Sequence, residues 1–326
     1  MLELFRKNIY LNSLMLLPYT VLLRLHTLIF PVSYQFPEAY NSYFSEWLFS
    51  QFTHPILQSV GAILIIFIQA LIINHLFVYH KVSRESTLFA GLLYILFVSV
   101  NPETNYFSPL LVANTFIILA LHNLLKTFKI TNAGALIFNA GIFIGLASVF
   151  YTPYAILAVF GILSLLIIRS FRLREKLQYL AGILTPYYLL VVLFYWTDTN
   201  IEHLNFIKGI FFNLPSVRYP INLISVMPAL ILLLLIPTIL INYGIISGKK
   251  NIQLQKKIDI IYWLMLFVLL SFLLFSTEDQ FHLLALAVPL SLITAILMSE
   301  SKRSILFELC HLAALIVAGI AQYSGY

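Results

Sequence analysis

Apolar stretches of about 17 to 25 residues recur along the whole chain, and short polar segments that hold nearly all of the charges separate them. Stretches of this length suit α-helices that cross a bilayer, whereas the strands of a membrane barrel would have about 10 residues of alternating polarity. The chain is 61% hydrophobic and 10% charged, and a soluble domain carries about 25% charged residues. The sequence therefore predicts an all-α, polytopic transmembrane bundle, with residues 1–326 forming one integral membrane domain.

The hydrophobic pattern predicts about eleven spans. The stretch from Gly134 to Ile168 would be about 52 Å long as one helix at about 1.5 Å per residue, which exceeds one crossing. We therefore expect a break into a tight hairpin at Phe150–Tyr154, where Pro153 interrupts the helix. The predicted spans are residues 8–30, 55–79, 86–100, 107–125, 134–150, 153–168, 177–196, 222–246, 258–275, 281–298 and 304–322.

The distribution of basic residues predicts the orientation. With a cytoplasmic amino terminus, sixteen of the nineteen Lys and Arg residues fall in or beside inner loops, two lie in outer loops and Arg24 lies in a span. Small basic groups beside spans are explained by this orientation, so no nucleic-acid partner is expected. The inner residues are Arg6, Lys7, Lys81, Arg84, Lys126, Lys129, Arg169, Arg172, Arg174, Lys176, Lys249, Lys250, Lys256, Lys257, Lys302 and Arg303; the outer ones are Lys208 and Arg218.

The outer side collects acidic residues, which makes it the expected working face. Its first loop also holds an aromatic segment, Tyr40–Phe52, whose spacing predicts an amphipathic helix lying in the membrane surface. The outer acidic residues are Glu38, Glu46, Glu103, Asp198, Glu202, Glu278 and Asp279.

Carboxylates of two outer loops form the first candidate site. Glu38 and Glu103 could flank one cavity, with one accepting a proton from an incoming hydroxyl and the other orienting the site or holding a cation. Acidic residues are also common in solvated loops, and Glu46 is placed on the polar side of the surface helix, so it ranks as a secondary candidate. No zinc spacing, phosphate loop or nucleophile elbow occurs in the sequence, and no metal site is predicted.

Two further groups contain basic or mixed charges. Arg24 lies near the outer end of the first span, where it could grip a lipid-linked phosphate together with Arg218. The alternative is that Arg24 reaches the headgroups or pairs with a loop carboxylate for stability. Glu278, Asp279 and His282 lie at the start of the tenth span, where helix capping explains the acidic pair as well as catalysis does.

This layout resembles the C-type glycosyltransferase superfamily of polytopic membrane enzymes. The similarity consists of the acidic residue after span one (Glu38), the surface helix before span two, the outer loop Asn101–Glu103, and the late segment Gln280–Leu290 with its proline. Family members usually carry a paired acidic motif in the first outer loop, where this chain has an isolated glutamate in Pro37–Ala39. Many also carry a large outer carboxyl-terminal domain, which is absent from this sequence.

The resemblance implies transfer of a sugar from a polyprenyl-phosphate donor at the outer face of a bacterial inner membrane. Glu38 would then be the general base, Glu103 would assist or bind a cation, and Arg24 and Arg218 would hold the donor phosphate. A non-catalytic scaffold or anchor subunit of a cell-envelope complex is the alternative, with other envelope membrane proteins as partners. A transporter is a weaker alternative, since few ionisable residues lie at mid-membrane and no repeated pair of broken helices is visible.

Overall fold

The structure, a computed structural model, describes residues 2–31, 49, 54–83, 85–169, 172–196, 236–237, 239–248, 250–275, 284–300 and 304–324. This part of the chain is helical and contains no β-strand. Short 3-10 helices at Pro102–Asn105 and Thr152–Ile156 connect longer elements. The α-helices are α1 (Leu2–Arg6), α2 (Tyr10–Leu14), α3 (Leu16–Leu23), α4 (Leu25–Ile29), α5 (Pro55–Tyr79), α6 (Phe89–Ser99), α7 (Pro109–Lys126), α8 (Gly134–Phe150), α9 (Leu157–Ile168), α10 (Leu173–Trp196), α11 (Tyr243–Ser247), α12 (Ile252–Phe275), α13 (Ala287–Glu300) and α14 (Ser304–Ser324).

Four of these helices, α5, α7, α10 and α12, are long and apolar enough to cross a bilayer, and six shorter apolar helices accompany them in the described residues. The predicted all-α membrane fold is confirmed. The number of spans and the side that each loop faces stay predictions. Helices α5 and α8 have the bounds expected from the sequence, and the expected break after Phe150 is present as the 3-10 helix that separates α8 from α9.

The prediction of one continuous first helix over residues 8–30 is wrong. That stretch forms α2, α3 and α4, with breaks at Met15 and Arg24. The Arg24 backbone has left the helical region, with φ −114° and ψ 19°. Hydrophobicity alone does not reveal such a break, because both flanks remain apolar while the Arg24 side chain reaches polar partners on other elements.

Several sequence predictions fall on residues outside the described ranges. Of the predicted surface helix only Phe49 is described; it is buried, and its ring centroid lies 5.0 Å from that of Phe107. Of the predicted span 222–246, the described part consists of short helical pieces from residue 236 onward, including the beginning of α11.

Glycines allow α8 and α10 to pack with their backbones in contact. A Cβ atom placed on Gly182 would overlap the Phe138 carbonyl oxygen and lie 3.1 Å from the Gly141 Cα. A Cβ on Gly145 would lie 2.5 Å from the Ile183 carbonyl oxygen. Gly141 and Gly145 are four residues apart, the spacing by which small residues bring membrane helices together.

A buried hydrogen-bond network joins α5, α6 and α7. Tyr94 donates to Gln69 Oε1 at 2.7 Å and accepts from Asn114 Nδ2 at 2.7 Å. Gln69 Nε2 in turn donates to the Leu111 carbonyl at 2.6 Å and to Thr115 Oγ1 at 2.8 Å. Polar side chains that find partners across helices stabilise packing where lipid offers none.

Ion pairs and polar contacts join the predicted inner loops at one end of the bundle. Arg169 binds Glu175 through two 2.8 Å contacts, and its Nη1 donates to the carbonyls of Thr127 at 2.8 Å and Ile130 at 2.6 Å. Lys250 pairs with Glu300 at 2.7 Å and donates to the Val82 carbonyl at 3.2 Å. Loops that were assigned to the same side by their basic residues therefore lie at the same end.

Candidate functional site

The first candidate site is built around Arg24, whose side chain is fully buried. Because the chain bends at Arg24, the guanidinium leaves α3 and reaches the end of α6 and the 3-10 helix that follows it. Nη1 donates to Ser99 Oγ at 2.9 Å, and Nη2 donates to Thr104 Oγ1 at 3.2 Å. No described carboxylate forms a salt bridge with Arg24.

The two hydroxyls that hold Arg24 are themselves positioned by backbone carbonyls. Ser99 Oγ donates to the Ile95 carbonyl at 2.6 Å. Thr104 Oγ1 lies 2.8 Å from the Val98 carbonyl and 2.7 Å from the Asn101 carbonyl. Each hydroxyl can therefore donate to the backbone while it accepts from the guanidinium.

Buried polar atoms on Arg24 and on residues that adjoin its two partners lack hydrogen-bond partners among the described residues. They are Arg24 Nε and both side-chain polar atoms of Asn105, the residue after Thr104. Gln322 comes from α14 and donates through Nε2 to the Ser99 carbonyl at 2.8 Å, while its Oε1 has no partner in the described part of the chain. We name Arg24, Ser99, Thr104, Asn105 and Gln322 the Arg24 cluster.

The Arg24 cluster has the chemistry of an anion site. A guanidinium carries five N–H donors, and Arg24 uses two of them on the described residues. Phosphate and carboxylate oxygens accept such donors in a planar, bidentate arrangement. A charged side chain buried in a membrane bundle is costly, and such side chains almost always pair with another charged or polar group. An anionic group would satisfy both the geometry and the charge.

The structure places the predicted site residues unequally. Glu103 lies in the 3-10 helix Pro102–Asn105, so its backbone directly precedes Thr104 of the Arg24 cluster, and its side chain is not described. This brings two of the predicted residues, Arg24 and Glu103, to one end of the bundle. The remaining predicted residues lie outside the described ranges: Glu38, Glu46, Arg218, Glu278, Asp279 and His282.

The predicted site residues did not include Ser99, Thr104, Asn105 and Gln322. A polar run at the end of an apolar helix, Ser99 to Asn105, was a usable signal, because it faces the only arginine placed inside a predicted span. Gln322 had no such signal, because it is a single amide near the end of α14.

A second group of ionisable side chains lies at the opposite end of the bundle. His80 Nε2 is 3.3 Å from His122 Nδ1, and Lys257 Nζ is 3.4 Å from both His80 Nδ1 and the His80 carbonyl oxygen. Burial, followed by the nearby Lys257 charge, lowers the pKa of His80 to about 3. In the part of the chain that the structure describes, no three His, Cys, Asp or Glu residues are grouped so as to hold a metal ion.

Comparison with known proteins identifies the fold. No protein-family model matches the chain, and no curated protein matches its sequence. The crystal structure of ArnT from Cupriavidus metallidurans bound to undecaprenyl phosphate is similar, with a TM-score of 0.58 and 10% sequence identity. The match covers 92% of this chain and 62% of the ArnT chain. The fold expected from the resemblance to C-type glycosyltransferases is confirmed.

Proposed function

We propose that the protein is a membrane glycosyltransferase that takes a sugar from a polyprenyl-phosphate donor at the outer face of a bacterial inner membrane. The observation that carries the proposal is the Arg24 cluster. It holds a buried guanidinium with donors that find no acceptor among the described residues, in a fold shared with a protein whose structure was solved bound to undecaprenyl phosphate. The acidic residues of the predicted outer loops support the outer face as the side at which transfer takes place.

The donor phosphate is assigned to Arg24. Its Nε and remaining N–H groups supply charge-assisted hydrogen bonds, and the buried amide of Asn105, next in sequence to Thr104, is a candidate neutral donor. Arg218, in the predicted outer loop between the spans 177–196 and 222–246, would bind the same phosphate from another direction. The polyprenyl chain would remain among lipid tails beside the bundle.

Glu38 is assigned as general base and Glu103 as its assistant. Glu38 takes the proton from a hydroxyl of the acceptor, and that oxygen forms a bond to the anomeric carbon of the sugar. The bond from the anomeric carbon to the phosphate oxygen breaks, and its electron pair leaves with polyprenyl phosphate. Arg24 stabilises the charge that develops on this leaving group. Glu46, Glu278, Asp279 and His282 are secondary candidates for binding the acceptor.

A non-catalytic envelope subunit is the second candidate function. The specific observation in its favour is that Arg24 is fully buried and already held by two hydroxyls of its own chain. A loop carboxylate as the remaining partner would make the Arg24 cluster a structural ion pair. Such a subunit would copurify with stoichiometric envelope proteins in mild detergent and would carry no polyprenyl-phosphate donor.

The test is sugar transfer in proteoliposomes that contain the full chain, with undecaprenyl-phosphate-linked hexoses labelled in the sugar and an envelope extract as acceptor. Release of undecaprenyl phosphate and transfer of label should both depend on the protein. Glu38→Gln combined with Glu103→Gln should abolish both, because neither amide can accept the hydroxyl proton.

Glu85→Gln provides the matched control. Glu85 pairs with Arg6 at 3.5 Å with a half-exposed side chain, at the end of the bundle opposite to the Arg24 cluster. This variant should retain full transfer. Full activity in the double Glu38 and Glu103 variant would remove the catalytic assignment, and a wild-type protein without transfer but with stoichiometric partners would favour the envelope subunit.

A further inference from the structure

A cavity of about 360 Å³ lies between the amino-terminal segment and α5. Its described lining residues are Asn8, Tyr10, Ser13, Leu71, Asn74, His75 and Val78. Gln58, whose carbonyl accepts from Phe107 N, marks the end of α5 near the Arg24 cluster. Asn74 follows it by sixteen residues, or about 24 Å along a helix at about 1.5 Å per residue. The cavity therefore lies at the opposite membrane face and is separate from the proposed catalytic site.

The amino-terminal wall of the cavity is held in place by hydrogen bonds. Leu88 N donates to the Phe5 carbonyl at 2.8 Å, and the Phe5 side chain is buried. Asn12 Nδ2 donates to the carbonyls of Leu4 at 2.7 Å and Lys7 at 3.2 Å. A wall fixed in this way forms before any ligand binds, as is usual for small-molecule sites.

Neutral hydrogen-bonding groups provide the polar part of the lining. Asn8 and His75 can each donate and accept. Ser13 Oγ donates to the Tyr10 carbonyl at 2.7 Å, so it offers a ligand its acceptor lone pairs. Asn74 is 5% exposed, and its Oδ1 has no hydrogen-bond partner among the described residues. A half-turn of the amide about χ2 exchanges Oδ1 and Nδ2, so Asn74 can present either a donor or an acceptor to a ligand.

The described lining favours neutral headgroup contacts over ionic ones. No Lys, Arg, Asp or Glu is among the described lining residues, whereas a phosphate would require basic side chains and an ammonium would require acidic ones. Hydroxyl groups both donate and accept, which matches two amides, a serine and a histidine.

The remaining lining residues suit a lipid that carries such hydroxyls. Tyr10 is 92% exposed and offers an aromatic face at the cavity edge, and tyrosine is favoured at membrane interfaces. Leu71 and Val78 give the α5 wall an apolar surface for the start of an acyl chain. A volume of about 360 Å³ equals about 12 water molecules at about 30 Å³ each, enough for a glycerol or hexose unit.

We infer that this cavity binds the polyhydroxylated headgroup of a membrane lipid in the leaflet opposite to the Arg24 cluster. The headgroup is a glycerol or a hexose, and Asn74, His75, Asn8 and Ser13 bind its hydroxyls. This site does not depend on the proposed transferase activity.

The test uses the full chain in phosphatidylcholine nanodiscs that also contain phosphatidylglycerol, a glucosyl diacylglycerol or phosphatidylethanolamine, with retained lipids counted by native mass spectrometry. At least one hydroxylated lipid should be retained over phosphatidylethanolamine and phosphatidylcholine. Retention of phosphatidylglycerol alone identifies the glycerol headgroup, and retention of the glucosyl lipid alone identifies the hexose. Equal retention of all four lipids overturns the inference.

Variants test whether the cavity itself binds the lipid. Asn74→Leu should weaken retention roughly tenfold, the loss of about one hydrogen bond, and Gln253→Leu, which replaces an exposed amide near the start of α12, should leave it unchanged. Tyr10→Ala removes a side chain that is almost fully exposed, so it tests binding without disturbing packing should Asn74→Leu misfold. Wild-type retention in either folded cavity variant overturns the inference.

Discussion

Replacing Arg24 with methionine should separate a ligand-binding role from a structural one. The substitution removes two N–H donations, at 2.9 Å to Ser99 and at 3.2 Å to Thr104. Both hydroxyls keep their backbone carbonyl acceptors, so no described donor is left unsatisfied around the methionine side chain. The loss of about 1.5 to 3 kcal/mol per hydrogen bond from a charged donor is offset because a buried charge is removed as well. We expect the free energy of unfolding to change by at most about 2 kcal/mol.

The same substitution should have a large effect on the donor lipid. A charge-assisted hydrogen bond contributes about 1.5 to 3 kcal/mol, which corresponds to roughly 10- to 150-fold in the dissociation constant. Binding of undecaprenyl phosphate to the nanodisc-embedded protein would be measured by titration with a fluorescent lipid analogue. Thermal unfolding of the same samples would measure stability.

Two results would refute this reasoning. Unchanged lipid binding in Arg24→Met would show that the phosphate does not contact Arg24. Destabilisation above about 3 kcal/mol would show that a protein carboxylate is the buried partner, because removal of one member of a buried ion pair leaves the other charge uncompensated. Arg24→Lys is the companion variant. It keeps the positive charge but loses the planar, bidentate guanidinium, so its lipid affinity should lie between those of the wild type and Arg24→Met.

Three other perturbations test the packing and the ionisable end of the bundle. Gly182→Ala should destabilise the protein by about 1 to 3 kcal/mol through overpacking. A Cβ on Gly319 would meet nothing within 4 Å, so Gly319→Ala should instead stabilise the protein by up to about 1 kcal/mol. SDS-induced unfolding measures both changes. Arg169→Gln should lower the thermal midpoint, because one side chain joins two loops and Glu175; an unchanged midpoint would contradict that role. Burial holds the pKa of His80 at about 3, below its usual 6.5. The free energy of unfolding should therefore be highest above pH 6.5 and fall as the pH drops towards 3, by at most about 1.4 kcal/mol per pH unit. In pH-dependent thermal scans, His80→Asn should flatten this slope.

Much of the bundle was predictable because lipid imposes one simple rule on spanning segments. Long apolar runs predicted α5 and α8 to the residue, and Pro153 predicted the break between α8 and α9. The basic loops predicted which connections share an end, and the Arg169 and Lys250 contacts agree with that grouping. Such features depend on local composition alone.

The site was less predictable because its geometry depends on contacts distant in sequence. Arg24 and Ser99 are 75 residues apart, and Ser99 and Gln322 are 223 apart. No local pattern reveals that an arginine breaks its own helix to reach a serine at the end of another. The Gly182 contact with α8 is similar, since its importance depends on which helix lies opposite.

The Arg169 contacts also affect the order in which the protein is assembled. Arg169 binds carbonyls at Thr127 and Ile130, which connect α7 to α8, and it binds Glu175 at the start of α10. Synthesis runs from the amino terminus, so α7, α8 and α9 are made before this side chain exists, and the carboxylate follows six residues later. The connection between α7 and α8 therefore gains its Arg169 contacts only after residue 169 has been made, and the ion pair with Glu175 then joins the start of α10 to the same side chain.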